Sequence, residues 1–415
     1  MSNCVCPIAF YGLTVHPSNI ITSCMLTENK LASVKESNGI DNDNFVKLRE
    51  NMKKGVWSHT EEYEGYKIDA GLGSNCGTCL HQEARGIFSD RQKWVENAEI
   101  LNGEHKGMTP KYNLKNNPIV HLNLNLSNVC NFKCRMCGPK YSNAWIPDAK
   151  FLKQESSDLA RPYNDSDTKQ FIDYHKLLEN YGDRFELRTC WITGGEPFMD
   201  KRIFDFLSQL EHYTDVKNLE VNITTNGSKI NFDKILELDK LKGICLNISV
   251  DATGKLFNYM RSAGVFDYQE LYNNIDKLIE LKNKMRNLKI QVNGSYQTYN
   301  SLNMLDFYRT FTKKLKVDAI QMRCLSHPLY LDSAILPKNL KEEAVSQIVE
   351  ILSDKDLNIH KRMNRDLSNI LINLKHEPQN KQELWSKFSK FTKLLDARRN
   401  EDIASVCNPI AKEMT

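Results

Sequence analysis

Three cysteines, Cys130, Cys134 and Cys137, stand in the pattern Cys-x3-Cys-x2-Cys, written out as Cys130-Asn-Phe-Lys-Cys134-Arg-Met-Cys137. A lone cysteine is most often a buried, inert thiol. Three at this spacing on one short loop can supply thiolates to three corners of a cubane iron–sulfur cluster. The fourth iron is then left without a protein ligand, and an open coordination site on a metal centre is where chemistry is done. The competing reading is a zinc knuckle that lacks one ligand.

A second candidate lies some sixty residues on, in Trp191-Ile-Thr-Gly194-Gly195-Glu196-Pro197. A glycine pair lets the backbone approach a ligand closely, Glu196 offers an acceptor to a cationic amine, and Pro197 stiffens the turn. Alone, the motif also suits a plain tight turn. A third group is spread over the N-terminal region: Cys4 and Cys6, then Cys24, then Cys76-Gly-Thr-Cys79. Four thiolates close a complete tetrahedral shell, so either zinc or a second iron–sulfur cluster is open to this set, and Cys4 can substitute for Cys6.

The elements that must position these residues can be read from hydrophobic period. Directly before the first loop, Val120, Leu122, Leu124 and Leu126 alternate with His121, Asn123, Asn125 and Ser127, the period of a strand. Strand-like runs are predicted over residues 119–127, 189–193, 219–225, 244–251, 288–294 and 317–323, with helical patterns between them. Six such βα units predict an α/β fold, a partial (β/α)6 barrel. One face of these strands is repeatedly polar, as in Glu220, Asn222 and Thr224, Asn247, Ser249 and Asp251, Gln291 and Asn293, and Gln321 and Arg323. Buried polar groups are unfavourable unless satisfied, so a ring of them predicts a wet or ligand-filled interior. The expected organisation is a small irregular cysteine-rich module at 1–105, a linker at 106–118, the barrel at 119–330 and a helical C-terminal extension at 331–415.

Composition sets bounds on function. The chain of 415 residues carries 56 basic and 52 acidic side chains, a net charge of +4, which gives no reason to expect a nucleic-acid partner. Twelve cysteines are too few for a disulfide scaffold. The N-terminus lacks the features of a signal peptide, and no apolar run approaches the length of a membrane span. A soluble protein of the reducing cytoplasm is expected, where clustered cysteines bind metal.

Taken together, the Cys130/Cys134/Cys137 loop and Gly194–Pro197 resemble the motifs of the radical S-adenosylmethionine (radical SAM) enzymes, over residues from about 119 to 325. The resemblance implies a [4Fe–4S] cluster on the three cysteines, with Met136 in the hydrophobic position before the last. It implies that Gly194, Gly195 and Glu196 meet the methionyl amine of S-adenosylmethionine. Thr225 and Asn226 resemble the polar end of the third strand, Ser249 and Asp251 resemble residues contacting the cofactor's ribose or carboxylate, and Arg261 falls where a carboxylate-binding arginine is often placed. The implied reaction is reductive cleavage of S-adenosylmethionine to a 5′-deoxyadenosyl radical, which takes a hydrogen atom from a peptide or small-molecule substrate. The electron would come from a reductase or a flavodoxin- or ferredoxin-type donor.

Cys6-Pro7, Cys24 and Cys76-Gly-Thr-Cys79-x3-Glu83-x2-Gly86-x2-Ser89-x-Arg91 resemble the auxiliary-cluster modules called SPASM or twitch domains, here placed before the barrel. They imply an auxiliary [4Fe–4S] cluster on Cys6, Cys24, Cys76 and Cys79. The alternative class is a non-catalytic zinc-binding scaffold for a partner.

Overall fold

A computed structural model describes residues 6–22, 24, 30–37, 39–54, 60–63, 66–69, 77–96, 113–161, 171–325, 327–357 and 359–414. The chain divides into two compact units. The first comprises Met1–Ser127, Gln170–Ile223 and Asp233–Ile244; the second comprises Asn128–Lys169, Thr224–Phe232 and Cys245–Thr415.

Eleven strands are present among the described residues: β1 Gly12–His16, β2 Ile20–Thr22, β3 Ala32–Ser33, β4 Thr60–Tyr63, β5 Tyr66–Asp69, β6 Ile119–Asn125, β7 Phe185–Thr193, β8 Glu220–Thr225, β9 Gly243–Ser249, β10 Leu288–Tyr296 and β11 Ala319–Cys324. Strands β6 to β11 fall on the six predicted runs. They differ at the ends, mainly because β7 begins earlier than its apolar signal and β10 ends later. Helices separate them, including Arg202–Gln209 after β7, Tyr268–Leu281 after β9 and Met304–Arg309 after β10. This is the order expected of a partial (β/α)6 barrel.

In the first unit the strand order is β8-β7-β6-β1-β2-β3. β6 and β7 are parallel, with Asn123 opposite Trp191 and Asn125 opposite Thr193, and β7 pairs in parallel with β8. β1 also runs parallel to β6, with Gly12 opposite His121, and β2 returns antiparallel. β1 therefore covers the outer edge of β6. That edge would otherwise present a row of unpaired backbone groups. All seven residues of β6 are buried, so the polar alternation His121, Asn123, Asn125 faces covered space and not bulk water. The carboxamide oxygens of Asn123 and Asn125 have no hydrogen-bond partner among the described residues.

In the second unit β10 and β11 are parallel, with Asn293 opposite Gln321. The polar face of this pair is partly filled from the helix Lys361–Lys375. Arg362 donates to Gln291 Oε1 at 3.3 Å and also to Gln321 Oε1. Asp366 accepts from the backbone N–H of Met322 at 3.1 Å, which satisfies the outer edge of β11. The C-terminal region is helical as expected, with Lys338–Ser353, Lys361–Lys375 and Lys381–Arg399 as its long helices. No described helix is long and apolar enough to cross a membrane.

Candidate functional site

The cysteine loop belongs to the second unit, and its sulfurs are held close to polar partners. Cys130 Sγ accepts from the N–H of Phe132 at 3.4 Å and from Asn226 Nδ2 at 3.8 Å. Asn226 sits at the end of β8, where its Nδ2 also reaches Asn131 Oδ1 at 2.9 Å and its Oδ1 accepts from Ser228. The predicted Thr225-Asn226-Gly227 strand end is thus tied to the loop through Asn131, while Thr225 Oγ1 accepts from Gly227 N at 3.1 Å. N–H donors on sulfur are a principal means of tuning thiolate-ligated clusters.

The backbone from Cys134 to Met136 is held at each carbonyl. Trp145 Nε1 donates to Cys134 O at 2.7 Å, and Arg161 donates to Arg135 O at 3.1 Å and to Met136 O at 3.5 Å. Phe132 and Cys134 are buried, whereas Cys130, Met136 and Cys137 are half-buried. Burial pushes the Cys134 thiol up, and burial together with the neighbouring Cys134 pushes Cys137 up to about 12. Cys134 and Cys137 are therefore neutral thiols at neutral pH.

A cation lies beside them. Arg261 Nη1 meets Asp251 Oδ2 at 2.5 Å. Burial works against its charge; Cys134 and Cys130 favour it only as thiolates, and the Asp251 carboxylate favours it throughout. Two residues expected to contact a cofactor are therefore found holding each other. Asp251, at φ +65°, is committed on both oxygens, since its Oδ1 accepts from the N–H of Ser295 at 2.6 Å. Arg261 retains a buried Nε with no hydrogen-bond partner among the described residues. Ser249 ends β9 half-buried.

In the first unit, the end of β7 turns through Gly194 and Gly195, both at positive φ (+87° and +55°). The space where a Cβ on Gly194 would lie is taken by Asn125 Oδ1, 1.8 Å from it. Any larger residue would displace that amide. Glu196 is buried and accepts from the N–H of Phe198 at 3.2 Å, capping the short turn that Pro197 begins. Farther down the same strands, His121 donates to or accepts from Thr189 Oγ1 at 2.6 Å, and Trp94 packs on His121 and Trp191 with ring centroids 4.7 and 5.8 Å away. Burial, with Lys93 adding to it, pushes His121 down to about 3, so it is a neutral imidazole.

Of the N-terminal cysteines, Cys4 and Cys76 lie outside the described residues. Cys6, Cys24 and Cys79 belong to the first unit. Burial, then the proximity of Cys79, pushes Cys6 up to about 12; Cys79 is pushed to about 12 chiefly by burial, with Cys24 among the groups acting on it. The downstream Glu83, Ser89 and Arg91 form one latch. Arg91 grips Glu83 with Nε at 3.0 Å and Nη2 at 2.5 Å, and Ser89 Oγ donates to Glu83 at 2.5 Å. This latch fixes the helix Gly77–Ala84, which carries Cys79, to the helix Asp90–Glu96.

Among the described residues no three His, Cys, Asp or Glu side chains converge closely enough to share one metal ion. A cubane does not ask for that convergence, because each thiolate takes a different iron. The donor set of the 130–137 loop fits such a group by its chemistry: three thiols, N–H donors on the Cys130 sulfur and a buried cation beside Cys134 and Cys130. Sequence reading passed over Asn131, Arg135, Trp145 and Arg161, which hold the loop. A local signal was a charged residue, Arg135, set between two closely spaced cysteines.

Residues 124–305 match the family model of the Radical SAM superfamily. The chain is 29% identical over 206 residues to the GTP 3′,8-cyclase of Haemophilus ducreyi, a match covering 49% of this chain and 51% of that protein. It is 28% identical over 165 residues to molybdenum cofactor biosynthesis protein 1 of Homo sapiens, covering 39% of this chain and 22% of that one. The chain thus spans about half the length of the first of these relatives, and less of the second. Among solved structures it is similar to native anSMEcpe with bound AdoMet (TM-score 0.40, 13% identity, 68% of this chain and 100% of that chain). It is also similar to Streptococcus suis SuiB bound to precursor peptide SuiA (TM-score 0.37, 18% identity, 67% of this chain and 60% of that chain).

Proposed function

We propose that this chain, which belongs to the radical SAM superfamily through residues 124–305, is an enzyme that holds a [4Fe–4S] cluster on Cys130, Cys134 and Cys137 and uses it on S-adenosylmethionine. When bound to Cys130, Cys134 and Cys137, the cluster would supply the single electron that cleaves the sulfonium to methionine and a 5′-deoxyadenosyl radical able to take a hydrogen atom from substrate. The observation that carries this reading is the loop itself: three thiols within eight residues, with N–H donors on Cys130 and the Arg261 cation at hand.

The chain's own residues do the rest. Glu196 and the peptide groups of half-buried Gly194 and Gly195 would meet the ammonium of the methionyl group, and Asn125 fills the space beneath that turn. Arg261, oriented by Asp251, offers its unpartnered Nε to the cofactor carboxylate. Thr225, Asn226 and Ser249 complete the polar strand ends, and Met136 shields the loop. Orientation of this kind lowers the barrier by holding reacting groups in near-attack geometry.

Cys6, Cys24, Cys76 and Cys79 form the ligand set of an auxiliary [4Fe–4S] cluster in this proposal, supported by the mutual influence of the Cys6, Cys24 and Cys79 thiols and by the Glu83–Arg91 latch. With four thiolates and no vacant iron, its role is electron transfer. The substrate is a peptide or small molecule. A flavodoxin- or ferredoxin-type donor in a reducing, cytoplasmic compartment belongs to the same proposal, as does the division into a cysteine-rich module at 1–105, a linker at 106–118, a barrel at 119–330 and an extension beyond.

The test is anaerobic reconstitution with iron and sulfide, followed by assay for 5′-deoxyadenosine with S-adenosylmethionine and dithionite. The wild-type chain should form it, and Cys134→Ser should form none. A filled cluster with no 5′-deoxyadenosine would overturn the enzyme reading, and zinc in place of iron would support the scaffold class.

A further inference from the structure

The helix Lys381–Arg399 was expected only as part of an extension, but it supplies the partners of a fully buried charge in the cysteine loop. Arg135 follows Cys134 directly and has no exposed side-chain surface. Its Nη2 meets Asp396 Oδ1 at 2.5 Å and Glu401 Oε2 at 2.5 Å, its Nε donates to Tyr259 O at 3.1 Å, and its guanidinium lies 3.6 Å from the centre of the Tyr259 ring. Burial opposes the charge, and the two carboxylates, with the face of the Tyr259 ring, offset it.

The two carboxylates meet there because of how the helix ends. Asn400 adopts the left-handed conformation (φ +53°), and the N–H of Glu401 returns to Asp396 O at 2.9 Å. That turn carries Glu401 back alongside Asp396. Asp396 is itself held from both sides, by the Tyr259 hydroxyl at 2.9 Å and the N–H of Ile403 at 2.9 Å. A second tether lies one turn later. Arg399 pairs with buried Asp148 at 2.8 Å, and its guanidinium is 5.1 Å from the ring of Trp145, the residue that donates to Cys134 O. A buried charge tolerates only partners with good geometry, and losing one leaves an uncompensated ion. The backbone of residues 134–136 is therefore bound to this helix with little freedom.

We propose that Asp396 and Glu401, acting through Arg135, position the cysteine loop for cluster binding, so that the helix Lys381–Arg399 is an integral part of the radical SAM site. This rests on the function proposed above. Arg135, Asp396 and Glu401 are positioning residues, since none is placed on the cofactor. Groups that orient metal ligands typically set metal affinity by about 10- to 100-fold.

The full chain and its Arg135→Gln, Arg135→Lys and Asp396→Asn variants would be reconstituted and compared with Lys341→Met. Lys341 is also a buried ion-paired residue of the second unit, bound to Glu377 at 2.6 Å and the carbonyl of His376 at 2.7 Å, and has no contact with the loop. The readouts are iron and sulfide per chain, the EPR spectrum of the reduced cluster with and without S-adenosylmethionine, and the melting curve by circular dichroism. Arg135→Gln and Asp396→Asn should retain a cooperative melt yet lose roughly tenfold or more in cluster retention under chelator challenge, with an altered spectrum. Arg135→Lys should recover part of the loss, and Lys341→Met should keep wild-type retention and spectrum however much its melt moves. Should Arg135→Gln not fold, Asp396→Asn carries the test, because Glu401 still faces the charge. Wild-type retention and spectrum in the folded variants, or an equal loss in Lys341→Met, would overturn this inference alone. A wild-type chain that takes up no cluster would overturn the proposed function beneath it as well.

Discussion

The two cysteine sets are built differently. Cys130, Cys134 and Cys137 lie within eight residues, and the chain between them is clamped by Trp145, Arg161, Asn226 and Arg135. Cys6, Cys24 and Cys79 come from three separate segments. Cys6 opens the short helix Ile8–Tyr11 through the bond from Ala9 N to its carbonyl, Cys24 is held by Thr22 Oγ1 at 2.8 Å, and Cys79 rides on a helix secured by Glu83 and Arg91. A contiguous loop needs little chain ordering to present its ligands. A dispersed set must order several segments at once, and metal binding then contributes directly to folding that region.

The sharpest way to break this contrast is to delete one set at a time. Cys79→Ala should halve the iron of the reconstituted chain, from about eight to about four per chain for two [4Fe–4S] clusters, while 5′-deoxyadenosine formation persists. Cys134→Ser should remove the other half and all cleavage. Zinc in place of iron in the Cys79-dependent half would show that the dispersed set is structural. Iron analysis together with elemental zinc decides it.

A smaller effect is expected at the Gly194 turn. Gly194→Ala places a methyl group where Asn125 Oδ1 now lies, on a backbone at φ +87°. A strained non-glycine φ and a displaced buried amide should together destabilise the chain by about 2 kcal/mol. Denaturant unfolding would measure that, and a rise in the S-adenosylmethionine concentration needed for half-maximal cleavage would locate the effect at the cofactor.

The smallest is a pH slope. His121 titrates near 3 when folded, against an ordinary value near 6.5. Between those values the unfolded chain binds the proton and the folded chain does not. Stability from this group is thus complete above about 6.5 and is lost as pH falls toward 3, by at most about 1.4 kcal/mol per pH unit. His121→Gln should flatten that part of the stability profile. An unchanged slope would mean that other groups set it.

Much of the scaffold was legible in the sequence. The six runs from Ile119 to Arg323 became β6 to β11 because short alternating or apolar strands between amphipathic helices have few other ways to bury their faces. The Thr225-Asn226 strand end and the Glu83-x2-Gly86-x2-Ser89-x-Arg91 spacing both proved to be hydrogen-bonded assemblies. Less legible was β1, whose five residues carry no sign that they pair in parallel with a strand more than a hundred positions later. Asp251 and Arg261 were separately marked, and only the fold joins them in a pair.

The sequence by itself determined the candidate donor types and the local turns, since three thiols in one short loop and a Gly-Gly-Glu-Pro strand end are short-range facts. The tertiary structure alone decided what holds them. Arg135 and Asp396 are 261 residues apart, and nothing near Asp396 distinguishes it from an ordinary solvated carboxylate of a charged helix. Charge pairing leaves no period in a sequence. It becomes visible only when folding removes water from both partners and makes their geometry matter.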